Sequence, residues 1–134
     1  MDNKTKIDVT CAIIKKGETI LVAQRSETMS LPLKWEFPGG KIEEMESAEN
    51  CIQRELKEEL NISVRIVERL KDYPYDYGKV IINLIPFVVD YIDGELVLAE
   101  HKKTVWAYKK DLIALDWAAA DISILNDYIK NIDA

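Results

Sequence analysis

Glu55, Glu58 and Glu59 stand at positions i, i+3 and i+4, a spacing that puts three carboxylates side by side on one face of a helix. In helical projection they fall within a sector about 100° wide. The same stretch carries an apolar stripe of Ala48, Cys51, Ile52, Leu56 and Leu60, with Asn50, Gln53 and Lys57 opposite. Glu55 and Glu59 fall inside that stripe. Carboxylates turned toward the body of a protein are costly unless something positive meets them. Two of them ~4 Å apart repel by about 4 kcal/mol at an effective dielectric of about 20. Such a cluster keeps a proton, splays apart, or gathers around a cation. A hard divalent ion, Mg²⁺ with Mn²⁺ as the alternative, favours these oxygen ligands. The competing interpretation is a solvated acidic helix, and the position within the apolar stripe argues against it.

Several elements must hold that helix in place. Ser47 predicts an N-cap, with the helix running to about Leu60. Residues 7–14 and 19–24 predict a hairpin around Lys16-Gly17. Residues 26–34, polar and containing Pro32, predict a loop. Trp35-Glu36-Phe37 predicts a short strand broken by Pro38-Gly39-Gly40. Further strands are expected at 62–70, 79–92, 95–98 and 104–108, the third following an Asp93-Gly94 turn. A short helix near 110–115 and a last one at about 121–132 close the chain. Ile122, Leu125, Tyr128, Ile129 and Ile132 are expected to face inward from that last helix. This mixed order predicts a single α/β domain over residues 1–134, a sheet covered by helices.

Composition narrows the function. The chain has 134 residues, 48% of them hydrophobic, enough for one real core. No stretch reaches the ~20 apolar residues of a membrane span. Met1-Asp2-Asn3-Lys4 lacks the apolar centre of a signal peptide, so a cytoplasmic protein is expected. Cys11 and Cys51 are isolated, which fits buried reduced thiols. A net charge of −6 argues against polymeric nucleic acid and membrane surfaces as partners. Anionic nucleotides stay open as ligands if metal ions intervene. Monomer and homodimer are both compatible with the sequence.

Gly40, Glu46, Arg54-Glu55-Leu56, Glu58-Glu59 and Ile62 resemble the Nudix box, the signature of Nudix hydrolases, here spanning residues 40–62. Asn61 stands where that family usually has Gly, and Asn is the next-best residue for a left-handed helix end. Trp35-Glu36-Phe37-Pro38-Gly39-Gly40-Lys41, Ala23-Gln24-Arg25 and the stretch from Glu100 through Trp106 to Ala120-Asp121-Ile122 are similar to the MutT-like and CTP pyrophosphohydrolase-like branch. The resemblance implies an α/β/α sandwich around a mixed sheet. It also implies hydrolysis of nucleoside triphosphates to monophosphate and pyrophosphate with Mg²⁺. Cytidine nucleotides (CTP, dCTP or modified forms) and 8-oxo-dGTP are the expected substrates. Hydrolysis of another nucleoside diphosphate derivative and a nucleotide-sensing domain without turnover are the alternatives.

The resemblance also assigns roles. Glu55, Glu58 and Glu59 are implied metal ligands, joined by the Gly40 carbonyl and by Glu100. Glu55, Glu58 and Glu100 are implied in the chemistry, with Arg54 bracing them. Arg54 lies four residues before Glu58 and can grip it bidentately; Glu46 is expected to orient Arg54 or to serve as an acid at the start of the helix. Arg25 and Lys41 are candidates for the triphosphate. Asp121 is either an N-cap or the group that meets the base, accepting from amino or imino hydrogens. Trp35, Tyr73, Tyr75 and Tyr77 could stack on the base, although such aromatics more often serve packing; Trp35 and Tyr75 are the two to test. His101, the only histidine, titrates in the right range for a base. A lone loop histidine is ordinarily solvated, however, and the resemblance implies carboxylates in that role.

Overall fold

A computed structural model describes residues 4–132, with side chains described to residue 130. The hairpin forms from Thr5–Lys16 (β1) and Thr19–Gln24 (β2). Trp35–Glu36 (β3) and Gly39–Lys41 (β4) precede the helix Ala48–Leu60 (α1). Then come Ser63–Arg69 (β5), Tyr73–Asp76 (β6), Val80–Asp93 (β7) and Lys103–Tyr108 (β8). Lys109–Leu112 (α2) and Ala119–Ile132 (α3) end the described chain.

The sheet is mixed. Its main path runs β3-β2-β1-β7-β5, with β4 beside β1, β6 beside β7 and β8 beside β2. β1 and β7 pair in parallel from Thr5↔Val80 to Lys15↔Asp90, and the other pairs are antiparallel. Strand side chains alternate between faces, and β1 shows it directly. Ala12 and Ile14 join Ile52, Leu56 and Leu60 of α1 on one face. Cys11 and Ile13 join Ile124, Leu125 and Tyr128 of α3 on the other. Helices on both faces of the sheet make the α/β/α sandwich.

Three local expectations need correction. Pro38-Gly39-Gly40 does not simply break the chain, because residues 39–41 form β4 against β1, with Thr10↔Gly40 and Cys11↔Gly39 in register. The approach is so close that a Cβ on Gly39 would sit 2.0 Å from the Thr10 carbonyl oxygen, so the glycine is what permits the strand. Residues 95–98 form no strand. Their amides turn to the open carbonyls at the end of α1 instead: Val97 N–H donates to Leu60 O (3.1 Å) and Ala99 N–H to Glu59 O (3.2 Å). Unsatisfied helix-terminal carbonyls outcompete a further ladder. On α3, Ile122 is 44% exposed while Ile124 is 1% exposed and carries the core contact; the side chain of Ile132 lies outside the described residues.

Candidate active site

Helix α1 begins and ends as its residue types require. Ser47 accepts from Asn50 N–H at the start, and Asn61 adopts φ 60°, ψ 34° at the end. Asn61 also donates through Nδ2 to Glu95 O at 3.0 Å. Together with the two amides above, that bond ties segment 95–99 to the end of α1 and so delivers Glu100 and His101 next to Glu59.

The glutamates are not equivalent. The Glu55 side chain is 13% exposed and the Glu58 side chain 59%. The Glu55 carboxyl lies directly over Gly40, where a Cβ would come within 2.3 Å of it. Arg54 collects the acids around it. Its Nε and Nη2 grip Glu46 at 2.6 and 2.9 Å, and its Nη1 reaches Glu55 at 2.9 Å and Glu58 at 3.0 Å. Glu43 is 3.1 Å from Nε, and Nη2 also donates to the Lys41 carbonyl at 3.2 Å. The Arg54 bond pulls the Glu46 carboxyl down to about 2, and the reciprocal contact raises the guanidinium above its ordinary value.

Glu59 is placed differently. Burial pushes its carboxyl up to about 7; His101 opposes this, while Glu55, Glu36 and Glu100 add to it. His101 is buried, which overturns the expectation of a solvated loop histidine. Its Nε2 pairs with Glu36 Oε2 at 2.7 Å, and its Nδ1 is buried without a partner among the described residues. Burial works against the imidazolium and is the largest single influence, but the Glu36 hydrogen bond together with the charges of Glu36 and Glu59 outweighs it and His101 ends above its usual value.

A cleft of about 500 Å³ opens beside these groups. Glu36, Glu59, His101, Gly40 and Lys41 line it, and so do Phe37, Tyr77, Leu84, Ala118, Ala120 and Asp121. Asp121 is the buried acid among them. Its Oδ2 accepts from Phe37 N–H at 2.9 Å, while burial pushes the carboxyl up to about 8. Asp121 is therefore mostly a neutral acid near pH 7, with a hydrogen to donate as well as oxygens that accept, and not the purely accepting group expected above.

The remaining candidates divide. Lys41 lines the cleft, exposed, with no carboxylate partner among the described residues. Arg25 also lines it, but its guanidinium bonds Glu36 at 2.7 Å and both the carbonyl and the hydroxyl of Ser30. Glu100 is exposed and lies near Glu59. Trp35 does not face the cleft; it is 8% exposed in the core beneath. Tyr75 packs on Tyr77 at 4.6 Å, and Tyr77, not Tyr75, lines the cleft, together with Phe37. Sequence reasoning missed Glu36, which joins Arg25 to His101. The alternation of Trp35 and Phe37 around a single acid was the available signal.

Among the described residues, no three acidic, imidazole or thiol groups converge on one point. Arg54 Nη1 stands between Glu55 and Glu58 and holds those carboxylates to itself. The donors nevertheless fit a hard divalent ion. They are oxygens throughout, they crowd one helix face, and Glu59 is driven toward protonation by burial and makes no ion pair with an arginine or lysine among the described residues.

Comparison with known proteins agrees with this geometry. The NUDIX domain family matches residues 4–127. A CTP pyrophosphohydrolase of Escherichia coli (strain K12) is 34% identical over 123 residues, covering 92% of this chain and 91% of that protein. A putative 8-oxo-dGTP diphosphatase 2 of Mycobacterium tuberculosis is 30% identical over 128 residues, covering 93% and 89%. Among solved structures, the E. coli ORF135 protein superposes with a TM-score of 0.83 at 34% identity, covering 95% of this chain and 91% of that one. A Staphylococcus aureus MutT does so with 0.77 at 36%, covering 96% and 99%.

Proposed function

This chain belongs to the Nudix hydrolases, and from that membership we propose that it hydrolyses nucleoside triphosphates to the monophosphate and pyrophosphate with Mg²⁺, or with Mn²⁺ in its place. The nucleotides are cytidine nucleotides (CTP, dCTP or modified forms) or 8-oxo-dGTP, in keeping with the names its relatives carry. The observation that carries this reading is the cleft, whose lining combines Glu36, Glu59 and Lys41 with apolar side chains and the buried Asp121. A nucleotide needs both kinds of surface, being a polyanion joined to a flat base.

The roles follow from the contacts. Glu55, Glu58, Glu59, Glu100 and the Gly40 carbonyl would hold the divalent ions. Bound there, the ions neutralise phosphate charge and acidify water. Arg54 fixes the carboxylates Glu55 and Glu58 in position through its grip on Glu46. Glu100, exposed beside Glu59, is our assignment for the proton acceptor. Lys41 steadies the phosphates. Arg25 approaches them from the wall of the cleft while holding Glu36 and the Ser30 loop. Asp121 meets the Watson–Crick edge of the base, and Tyr77 packs beside it.

Chromatography of reactions of CTP, dCTP and 8-oxo-dGTP with Mg²⁺ tests this directly. The expected products are monophosphate and pyrophosphate, with Glu58→Gln inactive. Diphosphate plus inorganic phosphate would point to different chemistry. Calorimetric binding of nucleotide without any product would identify a sensing domain instead.

A further inference from the structure

Thr10 is a fully buried polar residue on β1, at the edge of the α1 face of the sheet. Its hydroxyl donates to the Gly40 carbonyl at 3.1 Å and lies 3.2 Å from Cys51 Sγ. Cys51, fully buried on α1, has its thiol 3.3 Å from the Lys41 carbonyl and 3.6 Å from that of Gly40. Arg54 donates to the same Lys41 carbonyl. Two successive carbonyls of β4 are thus held from beneath by side chains of β1 and α1. A valine at position 10 would fill the same space, so the hydroxyl is not needed for packing. A carbonyl oxygen has two lone pairs. The β1–β4 register also pairs the Thr10 and Gly40 backbones, so Thr10 holds this carbonyl through both main chain and side chain, next to the Glu55 carboxyl that lies over Gly40.

We propose that Thr10 and Cys51 are positioning residues that fix the Gly40–Lys41 backbone against Glu55 and so set the affinity with which a divalent ion is held there. This rests on the metal site proposed above. One arrangement satisfies every group: Thr10 O–H donates to Gly40 O and Cys51 S–H donates to Lys41 O. Polar groups that orient metal ligands from behind typically set affinity by 10–100-fold.

The test is Mn²⁺ binding to the full chain, read as the electron paramagnetic resonance signal of free Mn²⁺, for four variants. Thr10→Val keeps the shape and removes the hydroxyl; Thr10→Ser keeps the hydroxyl and removes the methyl. Cys51→Ala and Cys51→Ser form the matching pair. Thr10→Val is expected to weaken Mn²⁺ binding roughly tenfold, with Thr10→Ser close to the unsubstituted chain. Cys51→Ala should lose less, and Cys51→Ser should recover part of the loss. In turnover, Thr10→Val should raise the Mg²⁺ concentration needed for half-maximal rate while kcat at saturating Mg²⁺ stays within about twofold. Wild-type Mn²⁺ affinity in Thr10→Val, or equal losses in Thr10→Val and Thr10→Ser, would overturn the positioning role alone. Absence of Mn²⁺ binding by the unsubstituted chain would overturn the metal site and this role together.

Discussion

The acid cluster on α1 and the Asp121 end of the cleft are built on opposite principles. Around α1, four carboxylates (Glu43, Glu46, Glu55 and Glu58) crowd one guanidinium, and negative charge is left in excess. At the Asp121 end burial dominates, with the charge of Glu36 adding to it, and the carboxyl avoids its own charge by keeping a proton. Under the proposed function, the first region would exchange arginine contacts for ions and phosphate. The second is already neutral and suited to reading a base by donor and acceptor pattern. Polyphosphate binding should therefore depend on ions at one end, and base choice on protonation at the other.

Changes at the acidic end should have the largest effects. Glu58→Gln is expected to lower kcat/KM by on the order of 10²–10⁴ for cytidine and guanine nucleotides alike, measured as pyrophosphate release. A loss confined to one nucleotide would break the division of labour. Arg54→Lys keeps the charge but loses the two-pronged hold on Glu46. A fall of about 10–100-fold in kcat/KM is expected, again independent of the base.

Changes at the Asp121 end should alter preference more than rate. A neutral carboxyl can donate to N3 of cytosine while accepting from its amino group; an ionised one suits the N1 and N2 hydrogens of a guanine. As pH rises through about 8, where Asp121 loses its proton, the ratio of kcat/KM for CTP to that for 8-oxo-dGTP should fall. Effects common to both substrates cancel in the ratio, and a flat ratio from pH 6.5 to 9 would remove Asp121 from base selection. The same residue affects stability. Because its pKa is raised in the folded state, the native chain holds a proton that the unfolded chain has released between about pH 4 and 8. The contribution of Asp121 to stability falls as pH rises across that window, and the raised Glu59 and His101 act in the same direction. Denaturant unfolding at several pH values should show a falling slope that Asp121→Asn makes shallower.

These regions also differ in how plainly the sequence announced them. The acidic end is local in the chain. Glu55, Glu58, Glu59, Arg54 and Gly40 lie within 20 residues of one another, and helical spacing alone puts the acids on one face. The Ser47 cap, the left-handed Asn61 and the limits of α1 were legible for the same reason. The other end is assembled from Phe37, Tyr77, Leu84 and Asp121, segments brought together only by the sheet. Among Trp35, Tyr73, Tyr75 and Tyr77 the sequence favours Trp35 and Tyr75, whereas Tyr77 lines the cleft, with Phe37, since nothing in periodicity distinguishes an aromatic over the cleft from one beneath it. His101 shows a related limit. Its burial depends on segment 95–99 binding the end of α1 in place of a strand, a competition between carbonyls that local propensity does not register.

The smallest expected effect joins these observations. Asn61→Ala forces an ordinary residue into a left-handed conformation and removes the bond to Glu95 O. It should cost about 1–2 kcal/mol of stability, read by denaturant unfolding, while leaving base preference unchanged.

The sharpest discrimination comes from calorimetric titration of Mg²⁺ into the folded chain with a non-hydrolysable cytidine triphosphate analogue present. Saturable Mg²⁺ binding, lost in Glu55→Gln and Glu59→Gln but retained in Asp121→Asn, is the expected result. Equal Mg²⁺ binding in all of these variants, or none in the unsubstituted chain, would contradict a metal site on α1.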